Sequence, residues 1–388
     1  MQLGLSEDGF DRGHRATRRQ VFLTEMDRVV PWSGLEDLIR PHYPAFGRGR
    51  QPYPLSSMLR VHLMQQWFGY ADEAMEEALI DQPLLRRFAG LDGGQSLPDE
   101  TTILRFRRML EENQLAPSIL GVVNHLLSEQ GLLLRRGTVV DATLIAAPPS
   151  TKNADGTRDP DMSQTKKGNQ WYFGMKAHIG ADVESGLVHT VISTTAKVAD
   201  ITQTEALLHG EERLVIGDGG YHRKEREVRA LEPEKGPKII TPYRRKAGQD
   251  LPLWQRQLNT AIASLRSKVE HPFRVIKRQF RYTKVRYRGL AKNHSQITTL
   301  FALSNLYQAR RALLAAGLVH ARSRTLVRKA AEAKLTRSAA RLRRASAFKT
   351  LQPGYLCRAS LMTCSRQRSG TTPPDSARFN TATTWGWV

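Results

Sequence analysis

The sequence predicts an α/β protein, in which a mixed sheet flanked by helices follows an all-helical domain and precedes a basic tail. Apolar residues recur at helical spacing from Val21 to about Leu134. Strand-like segments then alternate with helical ones from Thr138 to about Gln279, and the end of the chain is rich in Ala and Arg but poor in core residues. The predicted division is a flexible 1–20, a helical 21–134, an α/β 135–320, and a basic, partly disordered tail, 321–388.

Three segments of the N-terminal region have clear helical patterns. PLSSMLRVHLMQQWF places apolar residues at helical spacing after Pro54, and ADEAMEEALI continues as a second short helix. LPDETTILRFRRMLEEN forms a third, with Asp99 or Thr101 as N-cap, and carries Arg105, Arg107 and Arg108. Two interpretations stay open: a helix-turn-helix-like DNA-binding module, and a helical bundle whose arginines face water.

The α/β region begins with a β-branched run, TVVDATLIAA. A polar loop, APPSTKNADGTRDPDMSQTKKGNQ, leads to two strand-like segments, WYFGMKAHIGAD and LVHTVISTTA, joined by a turn. DITQTEALLHG predicts a short helix capped by Asp200, and LVIGDGGYH and KII predict further strands. The chain is then helical from about Pro252 to Gln279.

Positive charge is concentrated in the second half of the chain. The net charge is +22, but residues 1–220 carry 23 Lys and Arg against 29 Asp and Glu. Residues 221–320 carry 22 against 6, and residues 321–388 carry 14 against 2. A basic block of this size indicates a polyanionic partner, by default nucleic acid, although a solvated basic surface is the alternative.

Several protein classes are not expected. The sequence has no apolar run of about 18 residues and no apolar segment at its N-terminus, so neither a membrane span nor a secretory signal is predicted. Cys357 and Cys364 match neither a zinc site nor a disulfide framework, and they fit a reducing cytoplasm.

Two aspartates follow apolar runs that read as buried strands. Asp141 follows VV, and Asp218 follows VIG and precedes two glycines. A carboxylate on a buried strand is costly unless it is paired or binds a cation, and flanking glycines allow a close approach of a DNA backbone. Taken singly, each aspartate is more often a strand-end cap or a turn former.

Glu270 lies in a cationic helix, LRSKVEHPFRVIKRQF. With a 3.6-residue period, Arg266 and Lys277 lie at roughly −40° and −20° from Glu270, on the same face. Surface ion pairs would explain Arg266 and Glu270, but phosphate binding better explains the crowding of cations that includes Arg274. His271 points roughly 100° away and is not predicted to be a ligand.

Three carboxylates and nearby cations suit phosphodiester chemistry. Two Mg²⁺ ions, or Mn²⁺ in their place, activate the attacking oxygen and stabilise the leaving oxygen of an in-line displacement. Mg²⁺ prefers oxygen ligands and retains water, so three carboxylates and the scissile phosphate suffice.

Several segments together resemble the transposases of bacterial insertion sequences of the insertion-sequence-five type. The resembling blocks are TVVDATLI, TKKGNQWYFGMKAHIG, VIGDGGYH and RSKVEHPFRVIKRQF, and the resemblance extends from VFLTEMDRVVPW to about Leu313. It implies a ribonuclease-H-like catalytic core with a DDE triad at Asp141, Asp218 and Glu270. The family's Tyr-Arg-Glu-Lys signature places its Arg and Lys at Arg266 and Lys277, but Ala263 stands where the Tyr is expected.

The resemblance implies an oligomeric enzyme in the cytoplasm, at the nucleoid, that cuts the terminal inverted repeats of its element and joins them to target DNA. A ribonuclease-H-like nuclease that cuts without joining, and an inactivated DNA-binding relative, are the alternatives. Further DNA contacts are predicted for Lys166, Lys167 and Lys176, with Arg105 and Arg107 of the helical domain. Trp171 fits either base stacking or the core, and His178 either the active site or a structural role.

Overall fold

The computed structural model describes residues 15–45, 47, 51–92, 96–152, 156–221, 237–245 and 248–316, which all belong to one compact unit. The predicted tail, 321–388, and most of the predicted flexible N-terminus lie outside these residues. The first helix begins at Arg18, earlier than predicted, because the Thr17 hydroxyl caps it by accepting the Gln20 N–H. Within the described residues, no helix is long and apolar enough to cross a membrane.

The N-terminal region is helical, as predicted. Asp99 caps the helix that carries the three arginines, because its carboxylate accepts the N–H of Thr102 at 2.7 Å. Gly69 ends the central helix in the left-handed conformation, φ +74°, that glycine adopts without a steric cost. The helices described here are α1 (Arg18–Val29), α2 (Trp32–Ile39), α3 (Leu55–Phe68), α4 (Asp72–Asp81), α5 (Pro83–Ala89), α6 (Glu100–Glu112) and α7 (Ala116–Glu129).

Six described strands form one mixed sheet in the second half of the chain. They are β1 (Gly137–Ala146), β2 (Ser163–Lys167), β3 (Gln170–Asp182), β4 (Val188–Thr195), β5 (Leu214–Ile216) and β6 (Lys238–Ile240). β3 pairs antiparallel with β1 and with β4, whereas β5 is parallel to both β1 and β6. An antiparallel meander that continues into parallel strands is a mixed sheet, which confirms the predicted mixed α/β class.

Two long helices pack with this sheet. α8 (Leu253–Arg274) runs along β1 and continues as a π-helical turn, Val275–Gln279, and α9 (Leu290–Ala315) packs on α1, α7 and β4. Asn305 of α9 is completely buried, and its amide exchanges two hydrogen bonds with the backbone of Val188 and donates to Asn124 of α7. These satisfied polar contacts fix α9 against both the sheet and the helical region. One hydrophobic core accordingly runs through both regions, and the predicted boundary at 134/135 stays a prediction.

Two local predictions were wrong. Lys166 and Lys167 were expected in a loop but belong to β2, which pairs with the start of β3, because the GN turn at 168–169 closes a hairpin. The segment after Ala199 is not an α-helix capped by Asp200. It forms two 3₁₀ turns, Asp200–Gln203 and Glu205–Leu207, and the Asp200 side chain forms an ion pair with Lys176.

Candidate active site

Asp141 and Asp218 lie next to each other at the junction of two parallel strands. In the β1–β5 ladder, Thr138 lies opposite Val215 and Val139 lies opposite Ile216. The ladder ends at Ile216, two residues before Asp218, and the charge of Asp218 lies close enough to Asp141 to raise the pKa of that carboxyl. The sequence therefore delivers two carboxylates to one edge of the sheet, because both follow apolar runs of matching register.

Both aspartates keep coordination capacity. Asp141 accepts the N–H of its neighbour Ala142 through Oδ1 at 2.8 Å, and Asp218 accepts the N–H of Gly220 through Oδ1 at 2.8 Å. Among the described residues, neither Oδ2 atom has a hydrogen-bond partner. An ionised carboxylate offers about four lone-pair sites, so most of the capacity of this pair is unused.

Burial raises the pKa of Asp141 to about 6, and the negative charges of Asp218 and Asp200 act in the same direction. The Ala142 N–H and the Arg266 guanidinium oppose this rise without cancelling it. Adjacent carboxylates in a poorly solvated place repel each other, and a bound cation is the ordinary way to relieve that repulsion. The donor set therefore fits a hard divalent ion such as Mg²⁺.

Two cations of α8 and its π-helical turn face the same strand. Arg266 lies close enough to Asp141 to favour its ionised form, and its Nε is buried without a hydrogen-bond partner among the described residues. Lys277 donates to the Thr143 hydroxyl at 2.6 Å and to the Leu144 carbonyl at 3.2 Å. Thr143 is two residues beyond Asp141 and so shares its face of β1. Burial lowers the pKa of Lys277, and the charge of Lys167 lowers it further.

Glu270 is not joined to the aspartates by any contact. Its side chain is exposed, and it forms no hydrogen bond or ion pair with another described residue. Within the described residues, the carboxylate oxygens of Asp141, Asp218 and Glu270 do not all lie within 4.8 Å of one another. The structure thus brings Asp141, Asp218 and Arg266 together, and the role of Glu270 stays a prediction.

His189, His209 and Glu212 do form such a group, which sequence reasoning missed. Its donors already bind one another: Thr138 donates to Glu212 at 3.2 Å and lies 3.0 Å from His189 Nε2. The Glu212 carboxylate also accepts the backbone N–H groups of His209 and Gly210. His209 Nε2 is buried without a hydrogen-bond partner among the described residues and lies 3.4 Å from Glu212 Oε1, whereas the other contacts of the group anchor the loop before β5.

Lys176 and His178 lie on the opposite face of the sheet from Asp141. They pair with Leu144 and Ala142, which alternate with Asp141 and Thr143 along β1. Lys176 donates to the Val198 carbonyl at 2.7 Å and forms an ion pair with Asp200 at 2.9 Å. Lys176, predicted to bind DNA, is therefore engaged inside the protein.

His178 is completely buried, which lowers its pKa to about 4, so it is a neutral structural histidine beside Thr194. Asp200 was predicted only as a cap, but its charge reaches both Asp141 and the buried Tyr221. No sequence signal separates a capping aspartate from one whose partners lie on a distant strand.

The other predicted DNA contacts divide into exposed and buried side chains. Arg107 is buried, forms ion pairs with Asp72 at 2.7 Å and Glu111 at 3.0 Å, and stacks on Tyr287, so its prediction as a DNA contact is revised. Trp171 is 65% exposed and does not belong to the core. The exposed cations are Arg105, Lys166, Lys167 and Arg274.

Comparison with known proteins gives the family. A family profile described as "Transposase DDE domain" matches residues 133–306, which include the whole sheet, Arg266 and Glu270. A second profile, "Transposase domain (DUF772)", matches residues 10–109 of the helical region. The two matches do not overlap, and together they span most of the chain.

A solved structure, the piggyBac transposase synaptic complex with hairpin DNA, covers 81% of this chain and 80% of its own at 10% identity and a TM-score of 0.41. This likeness is too weak to carry an argument about fold or site. The two profile matches carry the assignment by themselves. The chain belongs to the DDE transposases typical of bacterial insertion sequences, a class of metal-dependent enzymes that cut DNA and transfer its strands.

Proposed function

We propose that Asp141, Asp218 and Glu270 hold two Mg²⁺ ions, which Mn²⁺ can replace, and that this site cuts the terminal inverted repeats of a mobile element and joins them to target DNA. The observation that supports the proposal is the proximity of the Asp218 charge to Asp141, where β5 runs parallel to β1. When bound, the ions supply the positive charge that an in-line displacement at phosphorus requires. The DNA-binding role of the helical residues 21–134 and the catalytic role of residues 135–320 are part of the same proposal.

The protein's own residues have separable tasks in this proposal. Arg266 favours the ionised form of Asp141, which is the form that binds a cation. Lys277, fixed by Thr143, places a positive charge beside the path of the DNA strand. Glu270 is the third ligand, and its exposure leaves it accessible to an ion that is shared with the DNA phosphate.

Exposed side chains around the sheet bind the DNA in this proposal. Lys166 lies directly across the β2–β3 ladder from Trp171, so a cation and an exposed aromatic ring stand side by side. Such a pair suits a phosphate and a neighbouring base. Arg274 on α8 and Arg105 on α6 add exposed positive charge. We propose that the enzyme acts as a homo-oligomer on double-stranded DNA of the bacterial nucleoid.

A strand-transfer assay tests the proposal. A labelled duplex carrying the element's end is incubated with a target plasmid and Mg²⁺, and cut and joined products are separated. The wild-type enzyme should give both products, whereas Asp218→Asn should give neither and still bind the end in a gel-shift assay. Cut but unjoined DNA would indicate a nuclease, and strand transfer by Asp218→Asn would overturn the site assignment.

Omission of the divalent ion is the second arm of the experiment. Wild-type protein without Mg²⁺ or Mn²⁺ should bind the end but leave it intact. Lys176→Met is a matched control, because Lys176 lies on the opposite face of the sheet and pairs with Asp200. This variant should keep strand transfer to the extent that it stays folded, which circular dichroism measures. Loss of strand transfer in a folded Lys176→Met would contradict the assignment of the active face.

A further inference from the structure

A second basic feature lies away from the aspartates, in a cleft of about 1030 Å³ between α1, the end of α3, the segment Gln279–Arg281 and α9. Among the described residues, five arginines line this arginine cleft, against a single carboxylate, that of Glu25. The aromatic side chains among them include Phe22, Phe68 and Tyr307, which are partly exposed. The cleft therefore combines a cationic rim with an apolar floor.

Two of the five arginines are engaged within the protein. Arg310 forms an ion pair with Glu25 at 3.0 Å and lies 4.1 Å from the ring centre of Tyr307. Arg19 bonds to Gln82 and stacks on Phe68 at 4.9 Å. The one acidic side chain among the described lining residues is thus already paired with a cation.

Three arginines remain uncompensated. Arg15, Arg18 and Arg281 are exposed, and they form no hydrogen bond or ion pair with any described residue. They come from two separate parts of the chain, the start of α1 and the end of the π-helical turn. Three free guanidinium groups around one opening offer several sites to a polyanion, and each can bind a phosphate through two N–H groups.

The backbone at Arg281 has a left-handed conformation. The helix ends there by hydrogen bonds from Phe280 N–H to the Val275 carbonyl and from Tyr282 N–H to the Ile276 carbonyl. Arg281 has φ +58°, the left-handed conformation that glycine usually supplies at such an end. Phe280 and Tyr282 are buried on either side, so the fold needs the turn but not the guanidinium. Glycine would adopt this conformation without strain, so the Arg281 side chain can be removed without loss of the turn.

The cleft and the active site are linked through one short segment. Lys277 contacts Thr143 on the face of β1 that carries Asp141, and Arg281 follows it by four residues. Four residues correspond to about one helical turn, roughly 6 Å along the chain. DNA held at the aspartates therefore has a continuation within reach of the arginine cleft.

We propose that the arginine cleft binds the phosphate backbone of a second stretch of the duplex whose end lies in the active site. This inference rests on the proposed function for its substrate, DNA, and adds an anchor that is independent of the catalytic carboxylates. An acidic protein segment is the competing occupant. DNA is favoured because the free cations are all arginines, and because the cleft adjoins the helix end that carries Lys277.

The test compares Arg281→Gly and Arg18→Gln with Arg28→Gln, an exposed arginine of α1 that does not line the cleft. Binding of a labelled end duplex is measured at several salt concentrations. Arg281→Gly should keep or raise the melting temperature, because glycine relieves the left-handed strain, and should weaken binding about five- to tenfold. It should also reduce the slope of log K against log salt by about 1. Arg18→Gln should weaken binding similarly, and Arg28→Gln should not.

The outcomes separate this inference from the proposed function. At saturating DNA the cleavage rate of Arg281→Gly should equal that of the wild type, whereas Asp218→Asn should bind normally without cleaving. Failure of the wild type to cleave would overturn only the proposed function. Unchanged binding and salt slope in both Arg281→Gly and Arg18→Gln would overturn the cleft proposal. If these substitutions weaken the binding of poly-glutamate but leave the binding of DNA unchanged, the cleft proposal is overturned in favour of an acidic protein segment.

Discussion

Replacing Asp141 by Asn should make the protein more stable and inactive at the same time. The Asp141 carboxylate has a pKa of about 6 in the folded protein against an ordinary value of 3.8. This difference corresponds to about 3 kcal/mol of destabilisation by the charged form, present in full above pH 6. Asn keeps the shape and can still accept the Ala142 N–H, but it carries no charge. The free energy of unfolding should therefore rise by up to about 3 kcal/mol at pH 8.

The pH dependence of this difference follows from the sign of the shift. Below pH 3.8 Asp141 is protonated in both the folded and the unfolded wild type, so wild type and variant should be equally stable. Between pH 3.8 and 6 the unfolded chain releases its proton while the folded one retains it, so the wild type loses stability as pH rises. The advantage of Asn should be about 1 kcal/mol at pH 4.5.

Urea unfolding of both proteins at pH 4.5 and pH 8, without divalent ions, measures the effect. Adding Mg²⁺ at pH 8 should raise the melting temperature of the wild type and not that of the variant. Asp250→Asn is the control, because its exposed carboxylate forms ion pairs with Arg245 and Arg256 and its removal should not stabilise. An Asp141→Asn protein less stable than wild type at pH 8, or a difference independent of pH, would refute the idea of an uncompensated buried charge.

Three further predictions concern other side chains. Burial lowers the pKa of His62 to about 4, so its protonation should contribute about 2 kcal/mol of destabilisation between pH 7 and pH 5, and His62→Gln should reduce the loss of stability in urea unfolding by that amount. Asp72→Asn should cost about 3 kcal/mol by leaving the buried Arg107 short of a partner, and end binding by the folded fraction should not change. Weaker end binding without a change in stability would restore Arg107 as a DNA contact. Trp171→Ala should change stability by less than about 0.5 kcal/mol and weaken DNA binding by about 1 kcal/mol in a fluorescence titration, and unaltered binding would remove Trp171 from the interface.

Patterns that depend only on local sequence were predicted well. The helical spacing in PLSSMLRVHLMQQWF and LPDETTILRFRRMLEEN gave α3 and α6, and the latter begins at the predicted cap, Asp99. The β-branched runs gave β1, β3 and β4. These elements bury one face in a single core, so their periodicity is imposed by burial and is visible in the sequence.

Features that depend on a distant partner were not predictable. β2 is mostly polar and exposed, so it has no alternating pattern and is defined only by its pairing with β3. The sequence pattern predicts a surface position for Arg107, but its side chain is buried, where it forms an ion pair with Asp72 of another helix. Trp171 is the opposite case, an apolar residue that was expected to be buried and is exposed. An aromatic residue at the start of a strand is usually buried, but the part of β3 that carries Trp171 extends beyond the end of β1.

The sequence gives Glu270 the strongest support of the three carboxylates, whereas the structure gives the strongest support to Asp141 and Asp218. Helical geometry made Glu270 the most distinctive residue of the sequence, since it places Arg266 and Lys277 on its face. A straight α-helix is assumed in that reasoning, but the helix becomes π-helical at Val275, which changes the direction of Lys277.

Lys277 donates to Thr143 of β1 and the charge of Arg266 lies near Asp141, while Glu270 remains exposed, so the two cations are positioned by the protein alone. Asp141 lies within the β1–β3 ladder, which cannot shift by one residue without turning every side chain to the other face, and Asp218 follows β5 by two residues. Glu270 has no such constraint. We therefore expect the aspartate pair to set where an ion binds, and Glu270 to join it only when ion and DNA are both present.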